Sequence, residues 1–403
     1  MTKQLIFQLA RFGDIIQTKR LVRSLQLDGE VQLCVDASLQ ELARLVYPDL
    51  QIYGLPAFGC AEHDILTTGR KIFTQLQAEK YDHVFILNHS GLSRPLGALF
   101  EPGRAVGYIM DKGQGIQSNW VRLAFRWMAN RAAAPLNLMD YWAGLAPRKI
   151  LPDSVNPASR PGGKGLGVVL AGQNARRSLP VKLYVPLIHA AFARLGGPTV
   201  YLLGTGKEQN AARELMTCLP GFVAQKTINL TGRTDWLGLI EAVCGLDLLL
   251  SPDTGTVHLA AHLGVPVEGL YFSSAWAFET GPYGEGHTVW QSLAQCSPCV
   301  ESQPCPNMVL CGDCFGQPAF LLRMQGKKPQ DKPLANMLKL RSGFDYLGEI
   351  WDNDSETVDP FTLKRQKMRA QLGEYLGQGS ALDSEVAQVL YQETDWILTQ
   401  AQP

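Results

Sequence analysis

Residues 246–272 read LDLLLSPDTGTVHLAAHLGVPVEGLYF. Leu246–Leu250 is an apolar run too short for a helix, and it stops at the turn Ser251-Pro-Asp-Thr-Gly255. A helix is expected over Val257–Leu263, and Val265–Phe272 is a second apolar strand. Strand, turn, helix, strand is a βαβ unit, and such units build parallel sheets covered on both faces. The turn at Asp253-Thr-Gly255 faces the free backbone N–H groups of the helix behind it, an arrangement that binds phosphate oxygens without a metal. His258 falls one turn into that helix, as a ligand to the same group or as a structural histidine.

The same alternation extends upstream. Gly167–Ala171, Thr199–Leu203 and Thr227–Leu230 read as strands, with helices over Val185–Leu195, 207–217 and Leu237–Cys244. A separate series opens the chain: strands Gln4–Leu9, Glu30–Val35, Leu50–Leu55 and Asp82–Leu87, with helices over 15–26, Leu39–Val46 and Lys71–Ala78. Between the series, residues 146–165 hold Pro147, Pro152, Pro157 and Pro161 among glycines, the composition of a linker. The expected organisation is α/β throughout: a first domain over 1–160, a second over 161–330 and a helical tail over 331–403. In the tail, Phe361–Tyr375 and Ser384–Thr399 are the expected helices, packing back on the first domain or mediating assembly.

At 403 residues the chain is too long for one ordinary core. Its 46% hydrophobic content is that of a globular protein, and Lys+Arg 37 balance Asp+Glu 37. That neutrality argues against a nucleic-acid partner held by phosphate neutralisation. No apolar run reaches the roughly 18–20 residues of a membrane span. Met1–Leu9 enters a strand and lacks the apolar core of a signal peptide, so a cytoplasmic location is expected.

Two phosphate-binding lookalikes fail. Gly204-Thr-Gly-Lys-Glu208 has Glu where a P-loop needs Ser or Thr, and Arg11-Phe-Gly-Asp14 lacks the three glycines of a dinucleotide fingerprint. What remains are residues in loops after strands, where open α/β sheets bind ligands. Asp14 opens a helix there, where Asp is a favoured N-cap. Gly172-Gln-Asn-Ala-Arg176-Arg177 could grip a diphosphate through its arginines, or present them to solvent. Glu208 could hold ribose hydroxyls or only compensate a helix dipole.

Taken in order, Arg11-Phe-Gly-Asp14, Arg177-Ser-Leu-Pro180, Gly204-Thr-Gly-Lys-Glu208, Leu230-Thr-Gly232 and Asp253-Thr-Gly-x-x-His258-Leu-Ala-Ala resemble glycosyltransferase family nine, the ADP-heptose:lipopolysaccharide heptosyltransferases. The resemblance runs over roughly residues 4–290. It implies the GT-B fold, two Rossmann-like domains facing a cleft, and an inverting sugar transfer from an ADP-sugar that needs no catalytic metal or other cofactor. By it Asp14 would be the general base on the acceptor hydroxyl, and Arg177 would neutralise the leaving diphosphate. Gly13, Gln173, Asn174, Glu208, Asp253, Thr254, Gly255 and His258 would bind substrate. Two departures are visible: Arg177-Ser-Leu-Pro stands where the family has Lys-x-Trp-Pro, and Phe-Gly-Asp where it has Leu-Gly-Asp.

The implied acceptor is a hydroxyl of the lipopolysaccharide core or another glycolipid, reached from the inner membrane face. A phosphorylated acceptor would want a basic cleft in the first domain, for which Lys112, Arg122, Arg126 and Arg131 are available. The alternatives are a protein acceptor, as in autotransporter glycosylation, or a sugar-nucleotide-binding protein without turnover. Five of the nine cysteines crowd into Cys296–Cys314. Cys296, Cys299, Cys311 and Cys314 form two C-x-x-C pairs that could hold a structural Zn or Fe, with Cys305 to spare.

Overall fold

A computed structural model describes residues 2–122, 131–170, 177–300, 303–327 and 334–376. The first sheet holds β1 (Thr2–Gln8), β2 (Gly29–Asp36), β3 (Gln51–Leu55), β4 (His83–Ile86), β5 (Ala105–Asp111) and β6 (Gln114–Gln117) in the order β3-β2-β1-β4-β5-β6. Its pairings are parallel except the last, β5 with β6. Leu5, Ile6 and Phe7 are buried, as a central parallel strand covered on both faces requires. The expected helix over 15–26 is two short helices, Phe12–Gln17 and Lys19–Leu25, meeting at Thr18.

The second sheet holds β7 (Leu166–Val169), β8 (Val200–Leu203), β9 (Thr227–Asn229), β10 (Leu248–Pro252), β11 (Val267–Tyr271), β12 (Thr288–Ser292), β13 (Met337–Phe344) and β14 (Glu349–Asn353). Their order is β14-β13-β12-β11-β10-β7-β8-β9. The core from β9 to β12 is parallel, and β13 and β14 are added antiparallel at the far edge. Those last two strands arise from a stretch that the sequence reading assigned to a helical tail. The helix Thr362–Tyr375 matches the expected Phe361–Tyr375 and returns to the first domain, where Arg365 donates to the carbonyl of Ala132 at 3.0 Å. Ser384–Thr399 lies outside the described residues.

The two halves share one apolar cluster. It runs from Ile15 and Ile16 of the first domain to Val257, Leu259 and Ala260 of the second without a break. Beside it lies a buried polar knot. Asp140, near the start of the helix Leu138–Ala143, accepts from Arg20, from the Tyr283 hydroxyl and, at 2.8 Å, from the backbone N–H of Glu349. Arg20 also reaches the carbonyls of Leu347 (3.0 Å) and Ile150. Asp140 and Arg20 come from the first domain, Tyr283 and Glu349 from the second, so one carboxylate ties the halves together.

His287 sits deep in the second domain. Its Nδ1 accepts the N–H of Val267 at 3.3 Å, and burial pushes its pKa down to about 3. It folds neutral, whereas an unfolded histidine takes a proton near pH 6.5. Stability from this group is therefore lost as pH falls below about 6.5. In His287→Gln that proton uptake disappears. The gap in unfolding free energy between wild type and variant is expected to narrow by about 1.4 kcal/mol per pH unit between pH 6 and 4. Urea titrations across that range measure it, and a constant gap would contradict a neutral buried imidazole.

Candidate active site

A cavity of about 1610 Å³ opens at the carboxyl ends of the parallel strands and takes its walls from both domains. From the first domain come Arg11, Phe12, Gly13 and Asp14, in the loop and helix after β1. From the second come Arg177, the 204–208 loop after β8, Thr234–Trp236 after β9, and the 253–258 segment after β10. The sequence-derived candidates Gly13, Asp14, Arg177, Glu208, Asp253, Thr254, Gly255 and His258 thus line one space. Gln173 and Asn174 lie outside the described residues.

Asp14 is not the N-cap of its helix. That position belongs to Arg11, and Asp14 is the third helical residue, whose carboxylate accepts the Arg11 N–H at 3.2 Å. Burial nevertheless dominates its environment and raises its pKa above the usual carboxylate value, with Arg11 and Arg177 pulling the other way. A carboxylate raised in this way is a stronger proton acceptor once ionised.

Opposite it, Arg177 pairs with Asp253, Nη1 to Oδ2 at 3.4 Å. Asp253 is buried under the turn, and Thr254 is the N-cap residue of the helix Gly255–His262, its hydroxyl turned instead to that of Ser251 at 3.1 Å. His258 is 5% exposed. Burial first, and then the charge of Arg177, push its pKa down to about 3, and its Nδ1 has no hydrogen-bond partner among the described residues. A neutral imidazole with an open nitrogen can orient a hydroxyl without adding charge. Glu208 has one oxygen engaged already: Oε2 accepts both the backbone N–H and the hydroxyl of Thr205, each at 2.7 Å. This is a capping box closing the start of its helix.

Glycine is needed where the domains touch. A Cβ at Gly13 would stand 2.9 Å from the ring of His258, and one at Gly255 would stand 2.2 Å from the ring of Phe12. Sequence reasoning passed over Phe12, Trp236, Thr234 and Thr280, all of which line the cavity. Phe12 lies within the Arg11-Phe-Gly-Asp14 motif, where the sequence shows it only as a departure from leucine.

Two expectations change. Arg131 does not line a basic acceptor cleft. It crosses to the second domain and binds Glu279 through two nitrogens, at 2.6 and 2.8 Å, with further bonds to the carbonyls of Cys299 and Ser274. Arg122 bonds locally to Asn119, and Arg126 lies outside the described residues.

The metal site at Cys296, Cys299, Cys311 and Cys314 is likewise not formed. Among the described residues no group of three or more His, Cys, Asp or Glu side chains is placed to hold a metal ion. The cysteines instead line the walls of a separate concavity of about 650 Å³. Buried Cys314 donates its thiol to the Cys311 carbonyl at 3.1 Å, and burial pushes its pKa up to about 12. Cys305 accepts the N–H of Val309.

Two parallel-sheet domains with a shared cavity at their strand ends make up the GT-B fold. Within that fold, residues 182–308 match the model of glycosyltransferase family 9 (heptosyltransferase), which places the family's sequence pattern in the second domain. Solved structures agree in fold. The ADP-heptose lipopolysaccharide heptosyltransferase II of E. coli is 18% identical, with a TM-score of 0.54 over 80% of this chain and 99% of that one. The E. coli heptosyltransferase WaaC with ADP is 17% identical, with a TM-score of 0.55 over 74% of this chain and 96% of that one. A family 9 glycosyl transferase from Veillonella parvula is 14% identical, with a TM-score of 0.55 over 72% and 85%. No curated protein sequence matches the chain. No described helix is long and apolar enough to cross a membrane.

Proposed function

We propose that this chain transfers a heptose-type sugar from an ADP-sugar to a hydroxyl of a lipopolysaccharide-core or similar glycolipid acceptor, with inversion and with Asp14 as general base. The observation that carries this reading is the shared cavity: Asp14 from the first domain faces Arg177 and the 253–258 segment of the second. The donor's diphosphate is assigned to the second domain, against Arg177 and the helix start behind Thr254. His258 and Asp253 are left to orient the sugar. Asp14 then takes the acceptor's proton as that oxygen attacks the anomeric carbon, and Arg177 meets the charge growing on the departing diphosphate. The donor assignment draws on the E. coli structural relatives, an ADP-heptose heptosyltransferase and WaaC with ADP. A cytoplasmic location is part of the same proposal, and cell fractionation tests it.

The deciding experiment follows ADP release by purified protein from a panel of ADP- and UDP-sugars, with and without a core-glycolipid fraction. Release selective for ADP-heptose, dependent on acceptor and unchanged by EDTA, is the expected result. Release from UDP-sugars alone would overturn the donor assignment. Absence of ADP binding would overturn the whole reading.

A further inference from the structure

Phe12 belongs to the first domain, but its ring lies against the second. The ring centroid is 5.2 Å from that of Trp236, with the planes tilted by 55°. The ring also lies against bare backbone: a Cβ on Gly255 would stand 2.2 Å from it. Gly13 continues the seam, packed on the His258 ring and on the Gly255 Cα. Phe12 and Trp236 are half-buried members of the apolar cluster that crosses the domains, and both border the cavity. Asp14 follows two residues later in the same helical turn.

We propose that Phe12 is a positioning residue: seated in a socket made by Trp236 and Gly255, it locks the helix Phe12–Gln17 against the donor loop and so sets where the Asp14 carboxylate meets the acceptor. The proposal rests on Asp14 being the base. Its physical content is that proton acceptor and donor come from different domains, so their separation is fixed by whatever joins those domains nearest the chemistry. A plug two residues from the base does this directly. Misplacement by about 1 Å is enough to cost about a hundredfold in rate.

The test uses the full-length chain with ADP-heptose and the core-glycolipid fraction, comparing wild type, Phe12→Ala, Phe12→Leu, Gly255→Ala and the Phe12→Ala/Gly255→Ala double variant. In Phe12→Ala, kcat is expected to fall about a hundredfold while the Kd for ADP, held by the second domain, stays within about threefold. Phe12→Leu should recover most of the loss. The acid limb of the kcat/KM profile should move to lower pH, because opening the socket admits water to Asp14. Gly255→Ala should expel the ring, so that the double variant is no slower than the slower single variant. Unchanged kcat in Phe12→Ala, or losses that multiply in the double variant, would overturn the proposal.

A second readout stands without turnover. Amide exchange at 12–17 and 255–262 should speed at least tenfold in Phe12→Ala, while β1 and β7 exchange as in wild type. Wild type that turns over no donor would sink Asp14 as base; unaltered exchange would sink the socket.

Discussion

Asp14→Asn is expected to lower turnover of the sugar donor by about 10²- to 10⁴-fold, the range that a positioned general base contributes. Binding of ADP should not change, because the nucleotide is assigned to the other domain. The variant keeps the shape of the side chain and an oxygen for the Arg11 N–H, so the helix start survives. What it removes is a proton acceptor whose pKa burial has raised. The same shift fixes the pH dependence. Activity needs the ionised form, so kcat/KM in wild type should fall as pH drops through the raised value, at a pH above 3.8. The stability sign is opposite. A carboxyl with a raised folded pKa contributes stability below its unfolded value and loses it as pH rises through the folded one. Asp14→Asn is therefore expected to be no less stable than wild type at neutral pH, and calorimetry checks this. An inactive variant that is also unstable would mean Asp14 is chiefly part of the helix.

Asp140→Asn should be the most destabilising single exchange outside the core. It leaves the Arg20 charge buried, at 3% exposure, with carbonyls and no counter-charge. Breaking a buried pair from one side costs about 3–5 kcal/mol. Removing both charges, as Arg20→Met with Asp140→Leu, should cost less than the single exchange. Chemical denaturation of the two variants decides it. A loss below about 1 kcal/mol in Asp140→Asn, the level of an exposed pair, would show that the knot does not join the domains.

Much of this molecule can be read from the chain because its parallel strands are short, built around apolar runs and punctuated by Gly and Pro turns. β1, β2, β7, β8, β10 and β11 each fall within a few residues of their expected bounds. The active-site loops follow, since strand ends are where such sheets bind ligands. Residues 337–353 escaped because β13 pairs at an edge, with charged residues interleaved among its apolar ones, and looks polar. The Asp140 knot escaped because its partners lie 120 to 209 positions away along the chain. The cysteines misled for a related reason: spacing fixes how far apart two side chains can be, but not whether they turn toward one point. Phe12 and Trp236 could be seen as apolar, but nothing local says that they meet.

The two strands borrowed from the end of the chain bear on how the protein can be cut. A fragment closed at residue 330 would look like a whole second domain in the sequence, yet it would leave β12 as a naked border. Leu338, Leu340 and Trp351, which cover that border in the intact chain, would be missing. Unsatisfied N–H and C=O groups beside exposed apolar side chains recruit other copies into intermolecular sheets. The second domain is thus a discontinuous unit, and any recombinant dissection that keeps it soluble has to carry the chain at least through Asn353.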